Sequence, residues 1–79
     1  MLSFEVLDGG QKIQIFCNQD GMARLLENLA SLVRHGGHTH LWGPAAGGDA
    51  LSDVTPFGDP AVAEVVIDFV PSYPIPKTN

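Results

Sequence analysis

The alternation of apolar and polar positions divides the chain into five regular stretches. Over residues 2–8, Leu2, Phe4 and Val6 alternate with Ser3 and Glu5, the period-two signature of a half-buried strand. Over residues 11–17, Ile13, Ile15 and Cys17 alternate with Lys12, Gln14 and Phe16, which predicts a second strand. Asp8-Gly9-Gly10-Gln11 separates them, and Gly-Gly supplies the positive φ angles of a two-residue hairpin turn. With that turn, Val6 faces Ile13, Phe4 faces Ile15 and Leu2 faces Cys17, all on one face, while Glu5 lies opposite Gln14 on the other. Moving the turn to Asp8-Gly9 sets Val6 against Gln11 and loses the match.

Beyond the hairpin the period changes to that of a helix. Met22, Leu25, Leu26, Leu29, Leu32 and Val33 recur at spacings of three and four, with Arg24, Glu27, Asn28, Ser31 and Arg34 opposite. Asn18 or Asp20 suits the N-terminal cap, and an acid there meets the positive end of the helix dipole. Gly36 is the natural left-handed terminator. The spacing predicts a helix over about 19–35, with its stripe packed on the apolar face of the hairpin.

Two more strands follow, over 37–43 and 62–70. In the last one, Ala63, Val65, Ile67 and Phe69 alternate with Glu64, Val66 and Asp68, and the odd-numbered set is expected to face the helix. Burying Leu41 together with Thr39 puts His38, His40 and Trp42 on the face away from the helix. The connection 44–61 is long for a compact domain. Leu51 and Phe57 are expected to dip back to the core, with a short turn or helical piece from Ser52. The architecture expected is α+β, in the order β-β-α-β-β: a mostly antiparallel four-stranded sheet with one helix packed on one face. Residues 1–70 form a single domain, and 71–79 an extended proline-rich tail. Two strand orders bury the same residues.

Composition narrows the function more than the fold. Seventy-nine residues make one small domain, and 44% hydrophobic content with 16% charge argues against disorder. No apolar run approaches the ~20 residues that span a bilayer, and Met1-Leu2-Ser3-Phe4-Glu5 lacks the basic start of a secretory signal. One cysteine, Cys17, fits a reducing compartment. A cytoplasmic location is the expectation. The formal charge of −5, with only Lys12, Arg24, Arg34 and Lys77 as scattered cations, disfavours nucleic acid as a partner. It suits a basic protein.

The polar face then carries Glu5, Leu7, Gln14, Phe16, His38, His40, Trp42, Glu64, Val66 and Asp68. Histidines two apart on a strand point the same way, so His38 and His40 with Asp68 or Glu64 could share a metal ion, but no third ligand stands in a fixed motif. Catalysis by either histidine beside Asp68 needs a nucleophile and an oxyanion site. Ser52, Thr55 and Cys17 qualify by residue type alone, and Gly47-Gly48 lacks the following lysine of a phosphate loop. The apolar centre of Phe16, Leu7, Trp42 and Val66, ringed by acids and histidines, fits a protein interface, whether with another protein or in a homodimer of open faces. It equally fits a tryptophan that merely shields the sheet.

His38-Thr39-His40-Leu41, directly after a helix carrying Gly21, Leu25, Leu29 and Leu32, resembles a small bacterial family of immunity proteins from polymorphic toxin systems. The likeness continues through Leu51-Ser52 and Val65-Val66-Ile67-Asp68-Phe69-Val70, over roughly residues 3–70. It implies a cytoplasmic protein that binds and neutralises a toxin domain without catalysis of its own, and no cofactor or metal is expected. His38, His40, Trp42 and Asp68 are the expected binding residues, with Phe16 as hydrophobic anchor. The alternative from another class is a small metal-binding or hydrolytic protein centred on His38, His40 and Asp68.

Overall fold

The structure, a computed structural model, describes residues 1–71. Its elements are β1 (Leu2–Leu7), β2 (Lys12–Cys17), α1 (Gln19–His35), β3 (Gly37–Trp42) and β4 (Glu64–Phe69), with single helical turns at Asp8–Gly10 and Pro44–Ala46. The fold is α+β in the expected order. The tail expected over 71–79 lies, from residue 72 onward, outside the described residues.

β1 and β2 pair antiparallel in the register that the apolar alternation demands: Leu2 opposite Cys17, Phe4 opposite Ile15, Val6 opposite Ile13 and Glu5 opposite Gln14. Gly9 and Gly10 turn the chain at φ 63° and 91°, and the Gln11 N–H donates to the Asp8 carbonyl at 3.1 Å. Asp8 before them is also at positive φ, 54°, and the two central positive angles match the right-handed twist of the strands, which is why glycine suits both positions. Of the two possible caps for α1, Asn18 serves: its Oδ1 accepts from the Gly21 N–H at 2.9 Å. Gly36 ends the helix and donates to the Leu32 carbonyl at 2.7 Å, at φ 71° and ψ −170°, an extended positive-φ conformation open to glycine rather than the left-handed helical one expected.

β3 and β4 also pair antiparallel, but the four strands form two two-stranded ribbons rather than one continuous sheet. The free edge of β1 is taken by the connection that precedes β4. Ser52 N–H donates to the Leu2 carbonyl at 2.7 Å, and Val62 N–H to the Phe4 carbonyl at 2.9 Å. Ala63, next in the chain, accepts from Gly43 N–H at 2.8 Å, at the end of β3. The ribbons are thus stitched at one end and part beyond it, as the strong twist of two-stranded ribbons favours.

The core sits at that stitch. Leu2, Phe4, Leu41 and Leu51 are buried together, with Cys17, Leu25, Ala50, Val62, Val65 and Ile67 packed around them. Leu51 therefore dips in as expected. Phe57 does not: it is 80% exposed. The Thr55 hydroxyl accepts from the N–H groups of Phe57 (3.2 Å) and Asp59 (3.3 Å), and a Val54–Pro60 bridge closes the loop. Phe57 is thereby held at the tip of a tight turn. The helical turn of this connection falls at Pro44–Ala46 instead of Ser52, whose hydroxyl donates to the Val54 carbonyl in a local turn (2.8 Å).

α1 covers less of the hairpin than its stripe predicts. Gly21 and Leu32 are buried and Leu25 and Asn28 half-buried, whereas Met22, Leu26 and Val33 stay more than half exposed. Two contacts set this rotation. Gly21 lies so close to the start of β1 that a Cβ there would sit 2.6 Å from the Met1 carbonyl carbon and 3.2 Å from Cys17 Cβ. Further along, Asn28 Oδ1 accepts from the Thr39 hydroxyl at 3.3 Å, pinning the helix over β3.

Candidate functional site

Leu41 is almost wholly buried, so alternation along β3 turns His38, His40 and Trp42 to the opposite, exposed face. On β4 the same face carries Glu64, Val66 and Asp68, opposite Trp42, His40 and His38 respectively. The expected division of the two strands holds.

The three rings form a ladder. His40 stacks on Trp42, with centroids 5.1 Å apart and planes inclined by 21°. His38 meets His40 edge-on, at 5.1 Å and 82°. One carboxylate ties the ladder together: Glu64 Oε2 accepts from the Trp42 indole N–H at 2.6 Å and from His40 Nδ1 at 2.8 Å. Glu64 reaches Trp42 as its direct cross-strand neighbour and His40 as its diagonal one, the two contacts that a long side chain makes on a sheet face. Donation from Nδ1 sets the tautomer of a neutral His40 and leaves Nε2 with its lone pair. The bonds from His40 and then Trp42 hold the Glu64 carboxyl below its ordinary pKa, outweighing the small opposing effect of desolvation.

His38, His40 and Trp42 are thus brought together. Asp68 faces His38 in register, but the ion pairs among the described residues are Lys12–Asp8, Arg24–Asp49 and His40–Glu64. The carboxylate that engages the ladder is Glu64, which the sequence placed on the same face as Asp68 without separating the two. Phe16 belongs elsewhere: its ring meets that of Phe57 edge-on at 5.9 Å and 76°. The polar face expected to run across all four strands is therefore two faces, one per ribbon, and the 44–61 connection adds its own aromatic ring to the hairpin's.

The residues named for other chemistry are engaged elsewhere. Ser52 and Thr55 spend their hydroxyls on loop turns, and Cys17 is half-buried beside the core. Among the described residues, no group of three or more His, Cys, Asp and Glu side chains is gathered closely enough to hold a metal ion. No helix among them is long and apolar enough to cross a membrane. Comparisons with protein families, curated proteins and solved structures return no match.

Proposed function

We propose that this chain is a non-catalytic protein-binding module whose outer β3–β4 face docks a basic partner, as an immunity protein docks the toxin domain it neutralises. The observation that carries this reading is the ring ladder of His38, His40 and Trp42 tied to Glu64. Trp42 is 42% exposed, yet its indole is fixed by a stacked ring and a charge-assisted hydrogen bond. A side chain ordered before binding loses less entropy on contact, and tryptophan is among the strongest interface anchors. Glu64 beside it, Asp68 opposite His38 at the other end of the ladder, and a net charge of −5 overall favour encounter with a cationic surface. A nuclease-type toxin, whose substrate is polyanionic, presents such a surface.

The test is protection in cells. Candidate toxin domains encoded beside the gene are expressed with wild-type chain, or with Trp42→Ala/His40→Ala. The reading expects growth to be rescued by wild type and not by the double variant, with both folded by circular dichroism. Equal rescue by both would remove this face from the mechanism.

A further inference from the structure

The apolar side of α1 is a second exposed surface, away from the ring ladder, and the packing of the monomer does not account for it. Met22, Leu26, Leu29 and Val33 follow one another at intervals of four, three and four, the spacing of a helix–helix seam. They lie beside the inward-facing Gly21, Leu25 and Leu32, and each keeps between 38% and 71% of its surface exposed. Val6, Ile13 and Ile15 continue the hairpin face whose base α1 covers, so they lie on the same side of the strands and are exposed to a similar degree. Val6, Ile13 and Ile15 also line a groove of about 500 Å³ with Phe4, Val62, Val65 and, at its edge, Glu64.

We infer that the chain self-associates as a two-fold dimer through the α1 seam of Met22, Leu26, Leu29 and Val33. Three observations select a second copy as the occupant. The seam is self-complementary: in an antiparallel pair about a two-fold axis near its middle, Met22 of one copy meets Val33 of the other, and Leu26 meets Leu29. Ala23 and Ala30 flank it, and small residues there allow the helices to approach closely.

Charge points the same way. Asp20 and Glu27 on α1 are balanced by Arg24 and Arg34, so the chain's net charge of −5 lies outside the helix. Two acidic molecules therefore meet on their neutral sides, whereas a basic partner gains nothing there.

The area fits a weak, concentration-dependent dimer. At the unfolded-chain average of about 150 Å² per residue, the exposed fractions of the four seam residues amount to roughly 330 Å². Homodimer interfaces are about 65% apolar, so such a patch corresponds to roughly 500 Å² per copy, or about 1,000 Å² in total, the lower end of the range for specific association.

Sedimentation velocity of the full chain, across about 5–500 μM, tests this over the range where dimers of such size assemble. Wild type is expected to shift with concentration from the 8.4 kDa monomer to twice that mass. Leu26→Glu, at a site 62% exposed, is expected to remain monomeric with an unchanged circular dichroism spectrum. Val33→Glu, at a site 71% exposed, repeats the test should Leu26→Glu disturb the fold. Trp42→Ala is expected to dimerise like wild type. A wild type that stays monomeric throughout overturns the proposal, as do folded glutamate variants that dimerise as well as wild type, or a dimer lost on Trp42→Ala.

Discussion

Gly21→Ala sets two physical effects of opposite sign against each other. Gly21 lies in the first turn of α1, where alanine improves helix propensity by about 1 kcal/mol. The structure opposes this gain. A Cβ at residue 21 falls against the Met1 carbonyl group, 2.6 Å from its carbon, and 3.2 Å from Cys17 Cβ. The Met1 carbonyl cannot retreat freely, because it accepts the Asn18 N–H at 3.1 Å and precedes the buried Leu2. Displacing it costs about 1–3 kcal/mol of overpacking strain and about 0.5–1.5 kcal/mol for the hydrogen bond. The clash wins, with a net loss of about 0.5–3.5 kcal/mol once the helix gain of about 1 kcal/mol is subtracted. For a domain of this size the melting temperature falls by about 4–8 °C per kcal/mol, so a drop of roughly 2–28 °C is expected. Urea denaturation measures the same loss, and Ala23→Gly supplies the contrast. Ala23 is exposed on the same helix, so glycine there costs about 1 kcal/mol by propensity alone. Should Gly21→Ala prove as stable as wild type, the close approach of α1 to the start of β1 is wrong.

Two further perturbations probe the ladder and the core. Because the folded pKa of Glu64 is depressed below 4.5, its contribution is intact above that pH and is lost as pH falls through the lowered value. Carboxyl-detected NMR of Glu64 should place its midpoint below the ordinary glutamate range. Glu64→Gln should remove the pH-dependent step from the Trp42 indole N–H resonance, and a midpoint at or above 4.5 contradicts the hydrogen-bonded geometry. Leu41→Ala deletes a side chain that is 2% exposed at the centre of the core. It should cost about 2–5 kcal/mol in urea denaturation, a large share of the roughly 4–12 kcal/mol that a chain of this length holds. A loss under 1 kcal/mol would place the core elsewhere.

Local physics made much of the fold legible in the sequence. The hairpin register followed from alternation plus Gly9-Gly10, because a one-residue slip would turn Ile13 and Ile15 to the wrong face. The ends of α1 followed from Asn18 and Gly36. Burying Leu41 was enough to place His38, His40 and Trp42 together on the exposed face. What stayed hidden depended on backbone groups and on small rotations. Nothing in the side chains of Ser52 or Val62 announces that their N–H groups would take the free edge of β1 and divide the sheet. The apolar stripe of α1 is wide enough to be buried along either flank, and contacts at Gly21 and Asn28 chose one of them. Glu64 and Asp68 both face the ladder across the strand pair, and only the reach of Glu64 to both Trp42 and His40 separates them. Phe57 looked like a core residue by type, but the turn around Thr55 holds it outside.

The central claim is that the β3–β4 face is a protein-binding surface anchored by Trp42. A calorimetric titration of a neutralised toxin domain with wild type, Trp42→Ala and Leu26→Glu tests it most directly. Binding should weaken at least about 30-fold for Trp42→Ala, the loss of an anchor worth about 2 kcal/mol, and should be retained by Leu26→Glu. Wild-type affinity in Trp42→Ala, or loss of binding in Leu26→Glu instead, would contradict the account and move the interface to the helix.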